Sequence, residues 1–204
     1  LHATQRHPVQ VGPLLRGYVQ MGTSPRFLML ALASGIPFNG MFLYVLSAPV
    51  WLGEILQLQP TQFFWFFCMS VSGIMLGAWL SGRLAGRIKP KHQIRHGFVI
   101  MLGTSLVNVT MNLLSTPHPF WAMLTVSIFS FGWALMVPVV TLLVLDLVPE
   151  RRGMASSVQA FIGSMANGLV AGVIAPLVMH SAQALALTSL GMLGIGVVAW
   201  IWVK

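Results

Sequence analysis

Long apolar runs separated by short polar or charged pieces set the pattern of this chain. Residues 27–53 carry no charge and end at Glu54. A second run covers 55–82, with Gln57, Gln59, Pro60, Thr61 and Gln62 making its front a polar turn. Residues 96–145 are far too many for one crossing of a bilayer, which takes about 20 residues. That run breaks at Ser115-Thr116-Pro117-His118-Pro119, where prolines and polar side chains mark a loop. Residues 154–203 break in the same way near His180, Ser181 and Gln183. The pattern therefore predicts six spans, at about 27–50, 62–82, 97–115, 120–144, 155–178 and 184–203. Inside lipid each backbone N–H and C=O needs a partner from its own segment, so the spans are expected to be helices. Barrel strands would be shorter and alternate in polarity. Ahead of them, residues 1–24 read as a linker that is either disordered or carries a short interfacial helix over 11–21.

The charges give this count a direction. Six crossings put both ends of the chain on one side. That side receives all 11 Lys and Arg residues. They are Arg6, Arg16 and Arg26, then Arg83, Arg87, Lys89, Lys91 and Arg95, then Arg151, Arg152 and Lys204. The other side receives none, only Glu54. Basic residues in short loops stay cytoplasmic because carrying them across during insertion is costly. Both termini are thus expected in the cytoplasm, in a bacterial inner membrane.

Composition narrows the function classes. Of 204 residues, 56% are hydrophobic and 7% charged. A soluble domain carries about a quarter charged residues. The net charge of +8 does not indicate nucleic acid, because it is divided among loops between apolar runs. The anionic lipid surface is the better-matched partner. The single cysteine, Cys68, lies in an apolar run, so it forms no internal disulfide and reads as a small buried hydrophobe. His92 and His96 are four apart but sit in a Lys- and Arg-rich stretch that repels cations, so no metal is expected there. No placed nucleophile and base is visible for an intramembrane enzyme. Leu1, in place of an initiating Met, suggests a piece of a longer protein.

No charge lies near any span centre, so the chain shows no proton relay of its own. In span five, Ser164, Gly168 and Gly172 recur every four residues on one helix face, where another helix is expected to approach closely. Val170 points elsewhere, and Pro176 weakens this helix near its outer end, in keeping with a packing or gating role. Span one carries Asn39, Phe42 and Tyr44, and span four carries Trp133 and Met136. Aromatic and Met side chains with sparse hydrogen bonding suit a loosely selective apolar cavity. Not all five can share it, because Asn39 and Tyr44 diverge by helical spacing. Trp51, Trp65, Trp79, Trp121, Trp200 and Trp202 lie near span ends and read as interface anchors.

Four pieces carry a resemblance: PRFLMLALASG, SAPVWLGEILQLQPTQFFWFF, GAWLSGRLAGRIKPKHQIRHG and PERRGMASSVQAF. In this order, over about residues 13–204, the chain resembles the second half of a major facilitator superfamily transporter, helices seven to twelve. It is most similar to the Bcr/CflA drug-resistance branch. The third piece resembles the loop after the second helix of each transporter half, with Gly77, Gly82, Arg83, Gly86 and Arg87 matching in kind. The family's usual acid is absent, and Ser81 and Gly82 stand in that region. The glycine face of span five resembles the glycine-rich fifth helix of the first half.

The resemblance implies an all-α membrane fold: one six-helix lobe of a proton-driven drug exporter, with no cofactor beyond the proton gradient. Its partners would be membrane lipids, an amphipathic drug, and an N-terminal six-helix half or a dimer partner. Such transporters bind substrate between two halves. A single half is therefore expected to be inactive alone. A non-transporting membrane scaffold is the alternative reading.

Overall fold

The computed structural model describes residues 10–115 and 118–204. Thr116 and Pro117, in the stretch expected to break the run before span four, lie outside it, as do Arg6 and the rest of 1–9. Six helices are long and apolar enough to cross a membrane, and no strand occurs among the described residues. Span one is Pro25–Leu46, span two Phe64–Leu84, span three Pro90–Leu114 and span four Pro119–Asp146. Span five runs from Arg152 through a π-helical turn, Val170–Ile174, to Val178, and span six is Ala182–Val203. A further helix, Val11–Thr23, precedes them and touches spans one and five.

Each boundary has a local cause. Span three starts seven residues before the expected 97, because Pro90 occupies the first turn, where its missing N–H and fixed φ suit a helix start. Span two ends in a tight turn in which Arg87 N donates to Leu84 O at 2.9 Å. Gly86 sits in that turn at φ +77°, the left-handed value a type II turn asks of its third residue. Ser181 caps span six by accepting from Ala184 N at 3.2 Å.

Span four is the centre of the bundle, packed against spans one, two and three, and span six packs on spans one and three. In lipid no hydrophobic force drives apolar helices together, so close backbone approach and interhelical hydrogen bonds matter. Gly73 and Gly77 let span two lie on the Ser127 and Phe131 carbonyls of span four. Ser127 Oγ donates to Met69 O at 2.6 Å across the same seam. Gly97 of span three crosses Gly132 of span four, and Gly196 of span six sits on Pro37 of span one.

Span five is peripheral. Of its most apolar stretch 11% is buried, against 56% for span one. Two sequence expectations are corrected in this packing. Cys68 is exposed on the wall of span two rather than buried, because Gly73 and Gly77 turn the opposite face toward span four. Of the expected anchors, Trp51 and Trp200 are instead buried core residues; Trp51 is 3% exposed and packed between Tyr44 and Phe66, with ring centroids 4.6 and 5.3 Å away.

Candidate functional site

The five cavity candidates divide into an outer pair and an inner trio. Phe42 and Trp133 are half-buried and belong to one aromatic array. Phe38 joins them, with ring centroids 5.6 Å from Phe42 and 4.9 Å from Trp133. Trp133 Nε1 donates to Ser34 O at 3.0 Å, which fixes the indole on span one. Phe38 was not among the sequence candidates, although its four-residue step to Phe42 places both on one face.

Asn39, Tyr44 and Met136 lie inside the lobe. Met136 has no exposed surface and packs under Gly97, and Asn39 is 2% exposed with its Oδ1 buried and unpaired. Tyr44 belongs to a polar seam toward the end opposite the basic residues. Asn108 Nδ2 donates to Tyr44 Oη at 2.7 Å, Asn112 Nδ2 donates to Asn108 Oδ1 at 3.0 Å, and Gln183 Nε2 donates to Asn112 O at 3.2 Å. Spans one, three and six are thereby tied together through polar groups. A void of about 10 Å³ lies beside this seam, lined in part by Tyr44, Ser105, Asn108, Thr125 and Ser189. The Ser105 hydroxyl there has no protein partner. Space for about one probe sphere with several polar neighbours fits a single water.

Of the loop candidates, Gly77, Gly82 and Arg83 are in span two rather than in a loop, and only Gly86 and Arg87 lie in the turn that follows. Gly77 is the buried one, and a Cβ there would strike Phe131 O and Ala134. Gly82, Arg83, Gly86 and Arg87 are exposed at the basic end. The Arg83 guanidinium lies 5.1 Å from the centre of the Trp79 ring, a cation–π distance. Near the basic end of span two, Ser81 Oγ accepts from Gln93 Nε2 at 2.6 Å. The same nitrogen donates to Leu135 O at 2.8 Å. A buried neutral clamp thus joins spans two, three and four; sequence reasoning passed over Gln93 because it is hidden in a basic stretch.

In span five the glycine-face expectation is corrected for this lobe. Ser164, Gly168, Gly172 and Pro176 are all exposed, and a Cβ at Gly168 or Gly172 would meet nothing within 4 Å. Val170 is the residue that packs, 3% exposed. Four-residue spacing identified a face, but the lobe turns that face outward. The π turn Val170–Ile174 ends two residues before Pro176. At the basic end, Arg152 pairs with Asp146 at 2.7 Å, both half-exposed.

Comparison with known proteins bears on these features. Residues 3–176 match the model of the Major Facilitator Superfamily. The chain is 26% identical over 175 residues to YdgK of Bacillus subtilis (strain 168), described as an uncharacterized MFS-type transporter. That alignment takes in 85% of this chain and 42% of the relative, so the chain spans less than half the length of the relative it matches. With six apolar helices and a family match over most of its length, this multi-pass membrane chain belongs to the Major Facilitator Superfamily.

Proposed function

We propose that the chain is the second six-helix half of a proton-coupled drug exporter similar to the Bcr/CflA branch. It would lie in a bacterial inner membrane with both termini cytoplasmic, and act only with a first half or a dimer partner. The observation that carries this reading is the half-buried aromatic array of Phe38, Phe42 and Trp133. Aromatic surface with one committed indole N–H suits an amphipathic, cationic or neutral drug better than a sugar or an inorganic ion. The outward faces of spans two and five support a second lobe, since their bulky apolar and small residues lack partners among the described residues. None of the described span centres carries an ionisable side chain, so the proton-coupling group would belong to the first half.

The test is drug accumulation in cells lacking their own exporters. A protein joining this chain to a matching first half should lower accumulation, and an uncoupler should abolish the effect. Phe42→Ala and Trp133→Ala should change which drugs are exported, while Tyr44→Phe should not. Accumulation equal to that of empty cells for every amphipathic drug tried would overturn the proposal.

A further inference from the structure

Spans three and six leave a groove of about 310 Å³ between them, near the basic end. Span three lines it with Lys91, Arg95, Phe98, Val99 and Leu102. Steps of three and four place these residues on one stripe, basic for its first turns and apolar beyond. Span six answers with Val197, Trp200, Ile201 and Lys204, a second stripe whose lysine lies at the same end. His92 completes the mouth, and no Asp or Glu lines the groove. Phe98 and Trp200 form a nearly buried floor, whereas Val99, Leu102 and Ile201 are 60%, 40% and 63% exposed and open toward lipid. The adjoining cavity shares Lys91, His92, Trp200 and Lys204 and adds Arg26 and Lys89. Asp146 lines that cavity, but its charge is held by Arg152.

We infer that this groove binds one anionic phospholipid, with its phosphate among Lys91, Arg95 and Lys204 and an acyl chain along Phe98, Leu102 and Val197. Two features select a lipid over a soluble phosphate. The basic cluster and the apolar stripe are continuous on both helices, so a headgroup and a chain attached to it are served together. The groove also opens sideways along the bundle wall, where a lipid arrives by lateral diffusion. Basic pockets between membrane helices bind anionic headgroups by electrostatic attraction of about 1 kcal/mol per Lys or Arg. The site rests only on the chain crossing a membrane, so it stands or falls separately from the drug-export proposal.

Native mass spectrometry of the full chain in neutral detergent, with palmitoyl-oleoyl phosphatidylglycerol added, tests it. One retained lipid is expected, and phosphatidylcholine should be retained far less. The pair Lys91→Ala/Arg95→Ala should weaken retention roughly five-fold per charge removed. The pair Arg16→Ala/Arg151→Ala removes the same charge outside the groove and should leave retention unchanged. Leu102→Trp keeps every charge but fills the apolar stripe, and should also weaken retention. Circular dichroism on each variant verifies that the helices are intact. Equal retention of phosphatidylcholine, equal losses from both arginine-containing pairs, or displacement of the lipid by glycerol 3-phosphate would each overturn the site.

Discussion

Replacing Gly97 with Ala tests the packing account through a contrast with Gly168→Ala. Both glycines lie in helices, so the intrinsic gain from adding a methyl group is common to both, up to about 1 kcal/mol. Their surroundings differ. A Cβ at Gly97 would fall 2.7 Å from Met136 Cβ and 2.8 Å from Gly132 O. Carbon pairs are comfortable at about 3.5–4.0 Å. A backbone oxygen and a Cβ cannot rotate aside, so spans three and four would have to separate by about 1 Å. Overpacking of this kind costs about 1–3 kcal/mol. At Gly168 a Cβ meets nothing within 4 Å, so only the intrinsic term remains. The difference between the two variants isolates the packing term. For a chain of this length, 1 kcal/mol moves Tm by about 2–4 °C. Thermal unfolding of the full chain in mild detergent is the assay. Gly97→Ala should melt several degrees below Gly168→Ala. Equal melting, or a less stable Gly168→Ala, would refute the assignment of the close helix crossing to span three rather than span five.

Three further outcomes follow from the described contacts. Gln93→Leu should destabilise the lobe by about 1–3 kcal/mol, because it strips the buried Ser81 hydroxyl and the Leu135 carbonyl of a shared donor; Ser81→Ala should cost less, since Leu135 still accepts, and denaturant titration ranks the two. A double-mutant cycle on Tyr44→Phe and Asn108→Leu should give a coupling of about 0.6–1.7 kcal/mol, and strict additivity would contradict the 2.7 Å hydrogen bond between them. Reporter fusions at Gln57 and Ser181 should read periplasm and those at Lys91 and Arg152 cytoplasm; a single reversed reporter would contradict the orientation.

The spans were legible because their apolar runs match the thickness of a bilayer and lie between clusters of charge. Their ends were less so. Span three continues seven residues into the basic stretch because a helix outside lipid needs no apolar side chains, and hydropathy cannot register it. The expectation about Gly168 and Gly172 shows the limit of periodicity. Spacing says that residues share a face; which helix meets that face depends on packing between distant segments. Gly97 and Gly132, which carry the crossing of spans three and four, lack a four-residue companion of the kind that drew attention to span five, whereas Gly73 and Gly77 of span two have that spacing and do pack. Among the site candidates, Phe42 and Trp133 share a face only through Phe38, a contact across 95 residues between Phe38 and Trp133 that no local pattern encodes.

The central claim is that this chain is one lobe of a two-lobe carrier. The most direct test is uncoupler-sensitive drug efflux by the isolated chain in cells lacking their own exporters, with cross-linking to score dimers in the same membranes. Alternating access needs two lobes rocking about a shared site. The isolated chain should leave drug accumulation unchanged, and joining it to a matching first half should lower it. Energy-dependent efflux by the isolated chain with no dimer present would contradict the account.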